Sequence, residues 1–393
     1  MASLTHEEAV VRAKNLVPSI KSRANYTEEF RRQPRETIEE FIDSGFIRML
    51  MPKRWGGSEL GFDTFYKTTV EIAKADPSAG WIFSLLVVHS WMLAYFPEAA
   101  QRDVWGENPD ACITTSFSPF SENQVTPVEG GYLVNGDWGY SSGVDHSDWA
   151  MLYTGIETNE PVEMPKIVMM VVPRSDYTVL DTWKTTAQKG TGSNNLRLKD
   201  VFVPEHRTID MISWCQKGDG PGNKLNDAPL YKHPLYAAMP VCLTSALFGA
   251  SVGTYELWRD SIKSKLTARS VKVADFTHQQ IRVAEVSATI AAAEALFEKT
   301  LERLRSEEPI DTYEKLRIRR NYGFIAKLCN QAVKTMMDHS GAGVIYETNP
   351  LQRYWRDVQA SSMHITFNMD WLGEMFGKLE LGLPLSQKDS LIS

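Results

Sequence analysis

The stretch YLVNGDWGYSSGVDHSDWAML, residues 132–152, decides how the chain is read. Its two ends, YLVNGDW and WAML, alternate in character with the period of two that a half-buried strand requires. Asn135-Gly136 is a strong short hairpin signal and places a tight turn between strands. Ser141, Ser142 and Gly143 follow, with Trp138, Tyr140 and Trp149 around them and Asp145, His146 and Asp148 beyond. The segment therefore reads as a decorated turn, a hydrolase or metal site, or the wall of a pocket for a large flat ligand.

Outward from this stretch, short runs of period two continue from about 111 to 207, as in KIVMMVV and LRLKDVFV, punctuated by Gly, Pro, Asn and Asp. They predict a compact antiparallel β-domain. Before it, from 5 to about 108, the periodicity is helical. Thr5 and Glu8 form a capping box, and PRETIEEFIDSGF runs from an N-terminal Pro to Gly45. SAGWIFSLLVVHSWMLAYF is apolar nearly all round and predicts a central buried helix. After a Gly/Pro/Asp/Asn-rich connection at 216–230 the chain is helical again, in segments at 235–265, 275–305, 311–339 and 350–380. The expected domains are 1–110 helical, 111–215 β and 216–393 a helical bundle.

With 43% hydrophobic and 23% charged residues, the composition is that of an ordinary globular protein. A net charge of −7 argues against nucleic acid as the main partner, since phosphate binding needs concentrated Lys and Arg. The short basic run KLRIRR, Lys315 to Arg320, reads as a solvated helix face. Cys112, Cys215, Cys242 and Cys329 are scattered, without a zinc or disulfide pattern. The longest apolar run, GWIFSLLVV at 80–88, is too short to span a bilayer. A reduced, cytoplasmic protein with no membrane partner is the expectation.

A Ser/His/Asp hydrolase is disfavoured at Ser142, Asp145 and His146, because neighbours in a tight turn cannot place nucleophile, base and orienting acid in line. Asp145, His146 and Asp148 match no established metal spacing. GTGSNN, 190–195, lacks the third glycine and the βαβ setting of a dinucleotide fingerprint, although its hydroxyls and amides suit a cofactor wall. His364, in DVQASSMHITFNMDW, falls in a helical pattern with Asn368 four residues on and Asp357 two turns before on the same face. Taken alone, such a histidine is more often a satisfied core residue than a catalyst. His89, in LLVVHSW, has the same plain reading, and desolvation favours its neutral form.

Four segments in order over some three hundred residues carry a resemblance: SAGWIFSLLVVHSW, YLVNGDWGYSSGVDHSDWAML, KGTGSNNLRLKDVFVPEHR and NPLQRYWRDVQASSMHITFNMDW. Together they resemble the acyl-CoA dehydrogenase fold family and, more closely, its offshoot of two-component, reduced-flavin-dependent monooxygenases that hydroxylate phenols and other aromatics. The dehydrogenases use a glutamate whose usual place lies eight or nine residues after an Arg-Asp pair, which here falls at His364-Ile365. The alternative place is empty too, since no Glu occurs between Glu205 and Glu256. TTSFSPFSENQ also stands where the dehydrogenases carry their TEP-x-x-GSD-like segment. An acyl-CoA dehydrogenase remains one alternative, and a non-catalytic flavin-binding relative another.

The resemblance implies an α+β, mostly α fold: an N-terminal helical domain, a central antiparallel β-domain and a C-terminal four-helix bundle. It implies a homotetramer with flavin at subunit interfaces. FADH2 or FMNH2 would come from a separate NAD(P)H:flavin reductase, and O2 would be activated through a C4a-hydroperoxyflavin to hydroxylate a small aromatic of phenol, arylacetate or indole type. Ser141, Ser142 and Gly143 resemble the loop beside the flavin N5 and pyrimidine edge, and Ser116 and Ser118 a second strand segment against the ring. His364 resembles the histidine near C4a, as hydrogen-bond donor or base. With Ser142 it is the expected catalytic residue. Arg269, ten residues before Gln279, resembles a helix-borne arginine on a neighbouring subunit's flavin phosphates, and Ser340 to Gly343 a diverged glycine turn in which Gly341 and Gly343 admit close backbone approach. Trp81, His89 and Phe117 are the expected substrate-pocket residues.

Overall fold

The computed structural model describes residues 3–156 and 166–386. The first helical block holds α1 (His6–Phe30), α2 (Arg35–Asp43), α3 (Phe62–Ala75), α4 (Pro77–Leu93) and α5 (Glu98–Trp105). The Thr5 capping box is formed, with the Glu8 amide donating to Thr5 Oγ1 at 3.2 Å and the Thr5 amide to Glu8 Oε2 at 3.0 Å. α4 begins where Asp76 accepts from the Ala79 amide at 2.8 Å, with Pro77 in the first turn. Every α4 residue except Leu85 is buried, as its all-round apolar pattern predicts. Gly80 is the contact point with α3: a Cβ there would lie 2.3 Å from the Ala73 Cβ.

The β-region follows as β1 (Ile113–Ser116), β2 (Ser118–Pro119), β3 (Gln124–Val128), β4 (Gly131–Gly139), β5 (Trp149–Gly155), β6 (Ile167–Pro173), β7 (Thr178–Leu180), β8 (Asn195–Pro204) and β9 (Thr208–Asp210). One sheet runs β1-β5-β6-β9. The other runs β2-β4-β8-β7, with β3 on β4. Pairing is antiparallel except for β1 on β5, which is parallel, a departure from the expected all-antiparallel domain. The first sheet is buried on both faces, which is why KIVMMVV reads as a continuous apolar run. Met170 and Val172 of β6 face the second sheet, while Met169 and Val171 face the helices.

Asn135-Gly136 is not a hairpin turn. It lies inside β4, where the register against β8 shifts between Val134 and Gly136, and the β3–β4 connection runs instead through Glu129 and Gly130. An Asn-Gly pair serves a bulge as well as a turn, because both need a positive φ. Gly136 has φ 148°, and a Cβ there would lie 2.2 Å from Asn123 Oδ1, which itself accepts from the Asp137 amide. Gly136→Ala is expected to destabilise the protein by about 1–2 kcal/mol, read from the denaturant midpoint at unchanged slope; no change would mean the bulge relaxes freely.

The chain closes with α6 (Met211–Lys217), α7 (Leu235–Ala238), α8 (Val241–Ser264), α9 (Thr277–Arg305), α10 (Thr312–Asp338), α11 (Pro350–Ser362) and α12 (Met369–Glu380). Helices α8 to α12 pack as a bundle around α10, and α8 also rests on α3 and α4. Leu235–Ser264 is long and apolar enough to cross a membrane by length and composition, which the run-length reading missed because Ser, Thr and Gly interrupt it; here it is a buried core helix. The run Lys315 to Arg320 is not simply a solvated face either. Lys315 and Arg319 are buried, and the Arg319 guanidinium lies 5.4 Å from the Tyr236 ring centroid and 4.9 Å from that of Trp371. Burial lowers its pKa to about 10.

Candidate active site

The segment after β4 bends sharply. Tyr140 adopts φ 59° and is largely exposed, and Gly143 adopts φ 73°. Between them the chain turns inward and buries Ser141 and Ser142. Trp138 is not at this wall: it points into the space between the sheets and donates to the Tyr153 carbonyl at 3.0 Å. Asp145, His146 and Asp148 hold the turn itself. Asp148 accepts from the Cys112 amide at 2.8 Å, Asp145 from Asn194 Nδ2 at 3.3 Å, and His146 Nε2 meets the Gln33 carbonyl at 2.8 Å.

Two segments close around the serines. From β1, Thr114 Oγ1 donates to the Ser142 carbonyl at 2.9 Å, and Ser116 Oγ donates to the Gly139 carbonyl at 2.6 Å while accepting from the Ser118 amide at 3.2 Å. From 188–195, the Thr191 carbonyl accepts from the Gly143 amide at 3.0 Å, and Ser193 Oγ lies 2.7 Å from Ser142 Oγ. GTGSNN is thus a 3-10 turn leading into β8, and its hydroxyls do reach the serines.

Two buried hydroxyls, Thr115 Oγ1 and Ser141 Oγ, have no hydrogen-bond partner. A buried hydroxyl left unpaired costs about 1–3 kcal/mol, so Ser141 Oγ, in the inward turn itself, marks a place where a ligand completes the polar wall, while Thr115 Oγ1 lies on the opposite face of β1 from Thr114 and Ser116. The unpaired Ser141 hydroxyl fits the polar edge of a flavin ring.

Helix α4 connects this wall to His364. Gly143 abuts Ile82, and the preceding residue, Trp81, meets the His364 ring edge-on at a centroid distance of 6.0 Å. His364 is not inside a helix. α11 stops at Ser362, and His364 caps a 3-10 turn, Ile365–Phe367, its Nδ1 accepting from the Thr366 amide at 3.2 Å. Asn368 does not bond it; that side chain caps α12 by accepting from the Asp370 and Trp371 amides. With Nδ1 occupied as an acceptor, the neutral ring carries its proton on Nε2. Burial against Trp81 and Phe367 lowers the His364 pKa to about 4, so the ring is neutral near pH 7.

Asp357, expected beside His364, has another role. It is fully buried, accepts from the Gln188 amide at 2.6 Å and from Ser78 Oγ at 3.4 Å, and so ties α11 to the 188–195 segment and to α4. Burial raises its pKa to about 7. His89 lies two turns beyond Trp81, its Nδ1 2.6 Å from the Ile113 carbonyl. Phe117 packs against Tyr153 at 5.9 Å.

Arg269, Gly341 and Gly343 are not part of this cluster. Gly341 and Gly343 line two adjoining clefts, of about 230 and 630 Å³, that share Ser261, Lys265 and Ser340; Arg269 lines neither. Arg269 is in the turn Thr267–Ser270, not on a helix. Lys265 Nζ donates to the Ser340 carbonyl, Gly341 has φ 76°, and Gln279 Oε1 and Trp258 Nε1 are buried without partners.

Sequence reasoning marked GTGSNN only as a whole, without singling out Thr191 and Ser193, and missed the anchoring role of Asp357. The hydroxyl-rich GTGSNN and TTSFS were the available signals.

Two family models match, the acyl-CoA dehydrogenase N-terminal domain over residues 11–108 and the acyl-CoA dehydrogenase C-terminal domain over residues 241–369, which sets the class of fold. The flavin-dependent monooxygenase oxygenase subunit HsaA of Rhodococcus jostii is 34% identical over 380 residues, covering 94% of this chain and 97% of its own. The FADH2-dependent resorcinol hydroxylase oxygenase component of a Rhizobium species is 33% identical over 395 residues, covering 96% and 95%. The crystal structure of 3-HSA hydroxylase from Rhodococcus sp. RHA1 superposes with a TM-score of 0.91 at 33% identity, over 98% of this chain and 100% of the other. The chain belongs to the oxygenase components of the flavin-dependent monooxygenases, and it is an enzyme.

Proposed function

We propose that this oxygenase component hydroxylates a small aromatic of phenol, arylacetate or indole type, with O2 and reduced flavin delivered by a separate NAD(P)H:flavin reductase. The observation that carries the reading is that consecutive residues of α4 meet the two parts of the site, Trp81 the neutral His364 and Ile82 the Ser141–Gly143 turn, where the buried Ser141 hydroxyl is left unpaired. Reduced flavin supplies the electrons that activate O2. Ser116, Ser118, Ser141, Ser142 and Gly143 hold the ring edge, and Trp81, His89 and Phe117 line the side where the aromatic lies. His364 offers Nε2–H to the oxygen being transferred or to a substrate hydroxyl. FADH2 is favoured over FMNH2 by the name of the Rhizobium relative. Its adenosine diphosphate end suits the clefts around Gln279, Ser340, Gly341 and Gly343, reached from a neighbouring subunit of a homotetramer, with Arg269 in the turn whose Thr267 lines one of them.

The test supplies enzymatically reduced FAD, isotopically heavy O2 and a panel of phenols, arylacetates and indoles. One heavy oxygen atom should appear in at least one product. If none of the panel gains oxygen while reduced flavin binds, the substrate reading fails.

A further inference from the structure

Ser142 is the first member of a chain of three hydroxyls whose protons can be assigned. Thr191 Oγ1 donates at 2.8 Å to the Gln188 carbonyl, which gathers the Thr191 amide at 3.1 Å as well, and a carbonyl can only accept. Thr191 has one proton, so its 2.7 Å contact with Ser193 Oγ uses the proton of Ser193. The 2.7 Å contact between Ser193 and Ser142 must then use the proton of Ser142. What Ser142 Oγ presents to a ligand is a lone pair.

The far end of the chain is held firmly. Gln188 sits at φ 51°, its amide donates to buried Asp357, its Nε2 donates to Ser361 Oγ at 2.7 Å, and its carbonyl also accepts from Trp183 Nε1 at 2.8 Å. Ser193 and Thr191 are buried, so water does not compete for these protons. Ser141 Oγ and Thr115 Oγ1 are not constrained in this way and can donate or accept.

We infer that Thr191 and Ser193 are positioning residues that make the Ser142 hydroxyl an obligate acceptor, and that this acceptor selects reduced flavin, whose N5 carries a hydrogen, over oxidised flavin, whose N5 does not. The inference rests on the reading of Ser142 as the residue beside N5. It makes the hydroxyl chain a redox filter: reduced flavin is retained and the oxidised product released.

The experiment measures, under anaerobic conditions, the dissociation constants of FADH2 and of oxidised FAD for the wild-type protein, Thr191→Val, Thr191→Ser and Ser142→Ala. Wild type should hold FADH2 more tightly. Thr191→Val keeps the shape but lets the Ser142 proton turn toward the flavin, so the ratio of oxidised to reduced dissociation constants should fall about tenfold, roughly one hydrogen bond's worth. Thr191→Ser should restore it. If Thr191→Val fails to fold, Ser193→Ala removes the acceptor of the Ser142 proton directly. An unchanged ratio in the Thr191→Val or Ser193→Ala protein, with Ser142→Ala altering it, overturns the filter and leaves the flavin site standing. If Ser142→Ala changes neither constant, Ser142 does not face N5 and both readings fall.

Discussion

Replacing His364 with alanine is expected to lower product formation at least about a hundredfold while FADH2 still binds, the loss that removal of a positioned proton-transfer group typically brings. The proposed flavin wall is built from β1, the 140–143 turn and the 188–195 segment, and its hydrogen bonds there run between these segments, not through the imidazole. Reduced flavin should therefore be consumed with its electrons lost to peroxide instead of product. The pH profile tests the same point. With a pKa of about 4 and Nδ1 engaged by the Thr366 amide, the ring does not change charge above about pH 5, so it adds no acid limb near the usual histidine value of about 6.5. An unchanged product yield in His364→Ala, with peroxide formation also unchanged, would remove His364 from the reaction.

The fold was legible where one element satisfies one pattern. The all-round apolar run of α4 can only be a buried helix, and the double-faced β6 can only lie between two apolar layers. Legibility failed where one residue type serves two backbone roles. Asn135-Gly136 suits a turn or a bulge, and only the pairing of β4 with β8 decides between them. Asn368 suits an i+4 partner of His364 or a helix cap. The cap won because the exposed amides of Asp370 and Trp371 need an acceptor, and that choice ended the predicted continuous helix at 350–380. Ser142 could be nominated by resemblance. Its partners Ser193 and Thr191, about fifty residues away, became visible only when the tertiary fold brought the hydroxyls within 2.7 Å of one another. Arg269 shows the converse. Its spacing to Gln279 matched a helix position, but the helix starts only at Thr277.

Between pH 7 and pH 5 the wild-type protein should lose less stability than its buried histidines alone dictate, and Asp357→Asn should expose the difference. His89, His233 and His364 are desolvated, which lowers their pKa values to about 4. The unfolded chain binds their protons from about pH 6.5 and the folded chain only near pH 4, so their contribution is lost as pH falls through that window, by roughly 1–2 kcal/mol each at pH 5. Asp357 acts in the opposite direction. Its folded pKa of about 7 lies above the unfolded carboxylate value, so the folded state takes up the proton first and gains stability as pH falls below 7. Asparagine keeps an oxygen for the Gln188 amide and removes the titration. The variant's loss between pH 7 and pH 5 should then exceed that of wild type by roughly 2 kcal/mol, read from denaturant midpoints at the two pH values. Parallel losses in the two proteins would mean that Asp357 is ionised in the folded state throughout this range, with the Gln188 amide and Ser78 outweighing its burial.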